Sequence, residues 1–525
     1  MDTKALRRKI LDLAIRGQLV PQDPADEPAS VLLDRIRAEK QKMVKEGKLK
    51  AKDIKNDSII FVGEDSLHYE KFADGSVKCI EDEIPFELPE GWAWARLGTV
   101  FSTVTGATPS TKDASLYGTD CPFYKPTDLD AGYNVCGAED SVSEKGYLSG
   151  RPLPKFSVLV TCIGATIGKT GYISNAGICN QQINAVLPNS EVLSDYTYFC
   201  MCSQYEQEQI WTNSSATTLP ILNKSKFDNL LFPIPPHEQQ SRIVERIKGL
   251  FFFVEKVQSN QESLKTTVGI AKSKILDLAI RGQLVPQDPN DEPASVLLER
   301  IRAEKEELIR QGKLKRDKKE SVIFRGDDNS YYEKVGGEVQ CIDNEIPFDI
   351  PETWAFVRLK HIGTVIGGGT PKTNVPSFWD GEIPWLTPAD LSGHKEIYVS
   401  AGGRNIKREG LDSSSAQLMP AGAVLYSSRA PIGYVAISAN PIATNQGFKS
   451  VVPYDFSMSE YLYYCLQART PDIEQRATGT TFKEISGSAM AETIIPLPPI
   501  AEQQRIVSCV QSYVEKLFVV EKQIN

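Results

Sequence analysis

Residues 9–40 read KILDLAIRGQLVPQDPADEPASVLLDRIRAEK, and residues 274–305 read KILDLAIRGQLVPQDPNDEPASVLLERIRAEK. Two positions differ, Ala25 against Asn290 and Asp34 against Glu299. A fixed-period repeat dictates architecture, and here the spacing is 265 residues, close to half of the 525-residue chain. That is far too long for a solenoid unit and about right for a domain with its connectors. The chain is therefore read as a tandem duplication of something large.

Working outward, Leu6, Ile10, Leu13 and Ile15 have helical spacing, and Gly17 with Pro21 and Pro24 ends that helix. A second helix is expected at about 29–46, with Ser30 as its N-cap. It leads into a lysine-rich tract, Lys40, Lys42, Lys45, Lys48, Lys50 and Lys52, answered by Arg310–Lys319 in the second copy. Interleaved acids such as Glu39, Glu46, Glu306 and Glu307 favour a solvated face over phosphate or partner contact. Stretches 25–75 and 290–340 are expected to be helical inserts.

Beyond Trp92 and Trp354 both copies change character. Residues 95–235 and 357–498 are rich in Val, Ile, Thr, Tyr and Gly, with turn signals every eight to twelve residues, a mostly β pattern. The copies diverge here but keep landmarks. Thr108-Pro109-Ser110 pairs with Thr370-Pro371-Lys372, Pro122–Leu129 with Pro384–Leu391, Ile167-Gly168 with Ile432-Gly433, and Asn180-Gln181 with Asn445-Gln446. Each region leaves through a proline segment, 232–236 or 495–499, into a helix opening with Glu-Gln-Gln at 238–240 or 502–504. An acidic first turn suits the positive end of the helix dipole.

From 237 a helical pattern continues to Gly282, weakening near Ser259-Asn260; if continuous it is a rod of roughly 65 Å at about 1.5 Å per residue. Residues 500–525 match 237–261, while residue 9 matches 274, so the second rod is cut in two by the chain ends. The expected fold is α+β: two mostly-β domains joined by long antiparallel coiled-coil-like helices in a circular, pseudo-two-fold arrangement. The expected partition is 1–94 (N-terminal helix and helical insert), 95–236 (first β domain), 237–356 (central helix and second insert), 357–498 (second β domain) and 499–525 (C-terminal helix).

Net charge is −9, which taken alone counts against a nucleic-acid binder. The ten cysteines have no CxxC pair and the four histidines no metal-ligand spacing to them, the pattern of reduced thiols in a cytoplasmic protein without a metal site. The N-terminus MDTKALRRKI has no apolar core of a signal peptide, and Leu250–Val254 is far short of a membrane span. Nor is there Asn/Asp-Pro-Pro-Tyr/Phe, GxxxxGK[ST] or a placed nucleotide fingerprint. Two unlike tips on one scaffold, held apart by a spacer, suit a ligand with two half-sites at fixed separation, and DNA is such a ligand.

The TPS/TPK turn, the PxxTxxDL-like segment, the Ile-Gly and Asn-Gln pairs and above all the proline exit followed by Glu-Gln resemble the specificity subunit of type I restriction–modification systems, across essentially the whole chain. The duplicated inserts depart from that family's simplest pattern. The resemblance implies two target recognition domains, each reading one half of a bipartite asymmetric double-stranded DNA site. It implies no catalytic site on this chain and no cofactor of its own. Two methyltransferase subunits and further restriction subunits would dock on it, with S-adenosylmethionine, ATP and Mg on those partners and no membrane involved. Candidate DNA-binding residues are Thr108, Ser110, Lys112, Lys125, Thr127, Lys169, Gln181 and Thr217 in the first domain, and Thr370, Lys372, Thr387, Arg429, Gln446 and Thr480 in the second. Asn180, Gln181, Asn445 and Gln446 occupy matching places, so structural bonding within a loop competes with base reading there. Two rival readings stay open: a stand-alone DNA enzyme with an unrecognised site, and a two-armed scaffold for proteins only.

Overall fold

A computed structural model describes residues 2–47, 49–51, 54–215, 219–316, 320–479 and 483–524. The chain divides into two compact units, Met1–Asn260 and Gln261–Asn525. Among the described residues no helix is long and apolar enough to cross a membrane.

In the first unit the helix Thr3–Ile15 is capped by Asp2, whose Oδ1 accepts from the amides of Lys4 and Ala5, both at 3.0 Å. Its buried Ile10, Leu11, Ala14 and Ile15 share a core with Ile243, Val244, Ile247 and Val254. These last belong to the helix His237–Ile280, which runs unbroken for 44 residues. Arg7 adds a contact 4.7 Å above the Phe251 ring and an ion pair with Glu255 at 3.0 Å. In the second unit the continuation of the long helix is joined by the C-terminal helix Ile500–Ile524. Lys272 pairs with Glu521 at 2.8 Å, and Gln261 Nε2 donates to the Ile524 carbonyl at 2.8 Å. Residues 261–280 thus do in one unit what 3–15 do in the other.

The helix Thr3–Ile15 stops because Gly17 sits at φ +67°, and Gly282 repeats this at +68°; a Cβ there would overlap Pro89 or Pro351. The following helix, Ala29–Lys45, corrects the expected cap. Pro28 precedes it, no side chain caps it, Ser30 lies inside it, and the Ala29 amide donates instead to the Gly91 carbonyl at 2.8 Å.

The inserts are only half helical. After the helix Ala29–Lys45 (Ala294–Arg310 in the second unit) comes an antiparallel three-stranded sheet: Ser58–Val62, His68–Phe72 and Val77–Cys79, matched by Ser321–Arg325, Tyr331–Val335 and Glu338–Cys341. The first two strands of each sheet alternate between a more buried face and an exposed one, the third is exposed throughout, and Asp74-Gly75 closes a tight turn, signals that the lysine tract masked. Each sheet is pinned by a buried ion pair, Arg96 Nη2 to Glu70 at 2.7 Å and Arg358 Nη2 to Glu333 at 2.6 Å. Lys40, expected on a solvated face, is buried; it donates to the Gly98 carbonyl at 2.6 Å and pairs with Asp57 at 3.3 Å. Burial pulls its amine below the ordinary lysine range and pushes the Asp57 carboxyl up.

Between insert and exit each unit carries its β region. In the first, Thr103–Thr105, Ile183–Val186, Val158–Thr161 and Thr170–Tyr172 form a four-stranded antiparallel sheet in that spatial order. Tyr117–Tyr124 forms a second sheet with Asp140–Val142 and Ile178–Cys179. The second unit repeats this with Gly363–Gly367, Lys449–Pro453, Val424–Ser428, Ile432–Ser438 and Tyr398–Val399, beside a sheet centred on Trp379–Leu386. Ala93–Arg96 pairs antiparallel with the exit strand Leu231–Ile234, and Ala355–Arg358 with Ile494–Leu497. Each β region therefore starts and finishes side by side, next to the stalk helices.

The exit keeps the alignment of residue 500 with residue 237. The Glu-Gln-Gln tripeptides are not equivalent: Trp92 Nε1 donates to Gln239 Oε1 at 2.9 Å, and Trp354 Nε1 donates to Glu502 Oε2 at 2.9 Å. Gln239 thus matches Glu502, a shift of one residue. Glu502 is a buried carboxylate and no solvated partner of the helix dipole.

Candidate nucleic-acid interface

In each unit four loops converge where the main sheet ends. The turn after Asn180 is held by Asn180 itself, whose Oδ1 accepts from the Gln182 amide at 3.1 Å; Asn445 does the same for Gly447 at 2.8 Å. Both asparagines shape the loop, as Asx turns do. The Thr-Pro turn closes against it through backbone bonds, Ala107 to the Cys179 carbonyl and Gly369 to the Thr444 carbonyl, each at 2.8 Å. The third loop follows the strand Val158–Thr161 or Val424–Ser428: Cys162 donates to Gln182 O at 2.7 Å, and Ser428 to Gly447 O at 2.7 Å. The fourth is tied on by Leu222 donating to Cys162 O at 2.8 Å and Ile485 to Ser428 O at 3.1 Å. The same scaffold is thus built twice from different sequences.

Onto this scaffold the structure brings Thr108 with Gln181, whose Oε1 accepts from the threonine hydroxyl at 2.6 Å, and Thr370 with Gln446 in the same bond. All four residues are exposed, so each pair offers amide donors at the loop tip. Ser110, Lys112 and Lys372 stand exposed on the same turns, and among the described residues neither lysine has an ion-pair partner. Lys125 and Thr387 occupy matching places at the start of a short turn, where each backbone amide donates to Asp128 or Asp390, at 2.7 and 2.6 Å. The Thr387 hydroxyl also donates to Asp390 at 2.8 Å, which commits it to the turn. The Lys125 amine is bound by Asp140, which raises it above the usual lysine range. Thr127 is exposed in that turn. Lys169 lies at the end of the third loop, paired with Asp130 at 2.6 Å. Thr217 and Thr480 lie outside the described residues.

Arg429 stands on the third loop of the second unit and bonds Glu484 through Nη1 at 3.2 Å. Lys449 Nζ reaches the other oxygen of Glu484 at 3.2 Å and the Gln446 carbonyl at 3.4 Å. Sequence reasoning missed Lys449 and Glu484. Neither lies on a landmark shared by the two copies, and 55 residues separate Arg429 from Glu484.

Residues 89–264 and 351–525 match the family model described as the type I restriction modification DNA specificity domain. The chain is 26% identical to the EcoEI specificity subunit of Escherichia coli, over 97% of this chain and 89% of that one. It is 26% identical to the EcoAI specificity subunit of the same organism, over 96% and 88%. To the MjaIX specificity subunit of Methanocaldococcus jannaschii it is 44% identical over 178 residues, 34% of this chain and 41% of the relative. A solved chain from work on complex assembly and conformational transition of the type I R-M system shares the fold, with a TM-score of 0.59 at 19% identity over 84% of this chain and 94% of that one. This chain belongs to the type I restriction–modification DNA specificity family.

Proposed function

We propose that this chain is the DNA-reading subunit of a cytoplasmic type I restriction–modification assembly, each unit reading one half of a bipartite, asymmetric duplex site. The observation that carries the reading is the loop cluster described above: one backbone scaffold made twice, with different side chains exposed on it. A shared scaffold fixes the approach to the duplex, and the unlike side chains supply two different base readouts. The near-identical stretches 9–40 and 274–305 present one surface twice, which suits two copies of one methyltransferase partner. Restriction subunits join the same assembly. Catalysis resides on those partners, with S-adenosylmethionine, ATP and Mg bound there, and their cations supply much of the phosphate neutralisation that an acidic chain of net charge −9 lacks.

The test is a replacement of residues 95–235 by the corresponding region of another member of the family, read by mapping methylated adenines in a host expressing the complex. One half of the target changes and the other is kept. A change in both halves would sink the assignment of one region to one half-site, and DNA cleavage by the purified chain with Mg alone would favour an enzyme instead.

A further inference from the structure

The two loop clusters differ in charge at one spot. In the first unit Ile163 and Ile221 face each other across a bridge between the third and fourth loops; in the second unit Arg429 and Glu484 hold that same bridge. The equivalence is fixed by the flanking bonds, Cys162 to Gln182 O against Ser428 to Gly447 O, and Leu222 to Cys162 O against Ile485 to Ser428 O. Beside the isoleucines Leu219 stands exposed next to Gly164, with the Gln182 side-chain amide as near. Around Arg429 the second unit gathers one carboxylate and two cations, a net single positive charge beside the Thr370–Gln446 pair.

Arg429 is tethered by one arm only. Its Nη1 bonds Glu484, and among the described residues Nε and Nη2 have no partner, while the side chain is 37% exposed. A guanidinium fork fixed on one side and open on the other is prepared for a two-pronged acceptor, and guanine O6 and N7 form such an acceptor in the major groove. Isoleucine and leucine at the matching place have no hydrogen bond to give, but they fit the methyl group of thymine.

Resting on the function proposed above, we infer that this spot sets the difference between the half-sites. Arg429, positioned by Glu484, reads a guanine in the half bound by the second unit. Ile163, Leu219 and Ile221 pack on a thymine methyl at the corresponding base pair of the other half.

The experiment expresses the full chain with its methyltransferase partners in a host free of the system and maps methylated adenines genome-wide. The wild type returns a two-part motif; failure to return one would refute the proposed function itself and not this assignment alone. Arg429→Ala relaxes the guanine requirement at one position of one half, by roughly tenfold or more in preference, and leaves the other half unchanged. Arg429→Lys keeps the charge but loses the fork, so it relaxes the same position. Glu484→Gln relaxes it too, although Arg429 is still present. If Arg429→Ala instead lowers methylation evenly at an unaltered motif and Arg429→Lys restores it, the arginine touches a phosphate and the inference is wrong. Loss of all methylation in both Arg429 variants would mark a structural role and equally overturn it. For the first unit, duplexes carrying deoxyuridine for the thymine bind the purified complex roughly threefold more weakly; unchanged binding at every thymine of that half would refute the apolar contact.

Discussion

Replacing Glu502 by glutamine makes the second unit more stable at neutral pH. The carboxylate is 1% exposed. Its oxygens accept from Trp354 Nε1 at 2.9 Å and Gln287 Nε2 at 2.6 Å, while the nearby Arg505 is engaged with Asp291 at 2.6 Å. Burial is the largest influence on Glu502 and lifts it above the ordinary glutamate range. The folded state therefore holds its proton more tightly than the unfolded chain. Below the unfolded value the group is neutral in both states and costs nothing; as pH rises through the folded value, stability is lost, and the loss persists at neutrality. Glutamine keeps the size and the acceptor, and the first unit shows that the site tolerates it: Gln239 accepts from Trp92 at 2.9 Å and donates to Gln22 at 2.8 Å. Exchanging a buried charge for an amide that keeps the indole bond and donates to Gln287 instead of accepting from it, as Gln239 does to Gln22, is worth about 1–2 kcal/mol, or roughly 2–6 °C in Tm for a unit of this size. Urea unfolding at pH 7.5 and pH 4 reads it, with Glu502→Gln ahead of wild type at the higher pH and level with it at the lower. The reciprocal Gln239→Glu weakens the first unit at pH 7.5. A Glu502→Gln protein less stable than wild type at pH 7.5 would refute the reasoning.

Three other outcomes follow from the packing. Arg96→Leu strands the buried Glu70, bonded otherwise by Ser58 at 2.5 Å, and lowers stability by about 3–5 kcal/mol in thermal unfolding, whereas Arg96→Met with Glu70→Met recovers most of it. Gly17→Ala and Gly282→Ala each lower stability, by about 1–3 kcal/mol in denaturant titrations, because φ near +67° and the neighbouring proline both oppose a Cβ. Trp92→Phe loses the indole bond to Gln239 and costs about 1–2 kcal/mol by the same titration, leaving the aromatic packing in place.

The duplication was legible because near-identity at long spacing needs no conformational argument, and the apolar period announced the long helix while leaving open its continuity near Ser259-Asn260, where the structure runs unbroken for 44 residues. The Thr108–Gln181 and Thr370–Gln446 contacts were half legible: the landmarks named the residues, though not that they bond each other. The insert sheets escaped because lysine and glutamate runs dominate the stretch before them, while short strands such as Val77–Cys79 give only weak alternation. Lys40 escaped for a different reason, since its burial depends on the Gly98 carbonyl, 58 residues away. The Glu-Gln-Gln tripeptides invite pairing, but the Arg-Ile-Val that follows at 242–244 and 505–507 already sets the register that the tryptophan bonds show. Ile163 against Arg429 was hidden, because the two copies share no letters there.

The repeated stretch makes its contacts within its own unit. Arg16 lies 4.2 Å over Phe86 and Asp26 binds Arg242 in the first, while Arg281 lies 4.5 Å over Phe348 and Asp291 binds Arg505 in the second. The seam on which each recognition region is mounted is thus the same socket twice, down to the charges. At the level of the gene, near-identical segments flanking unlike cargo are places where strands can exchange. A crossover there would deliver an intact head into a ready-made mount, so new pairings of half-sites can arise without re-evolving the stalk.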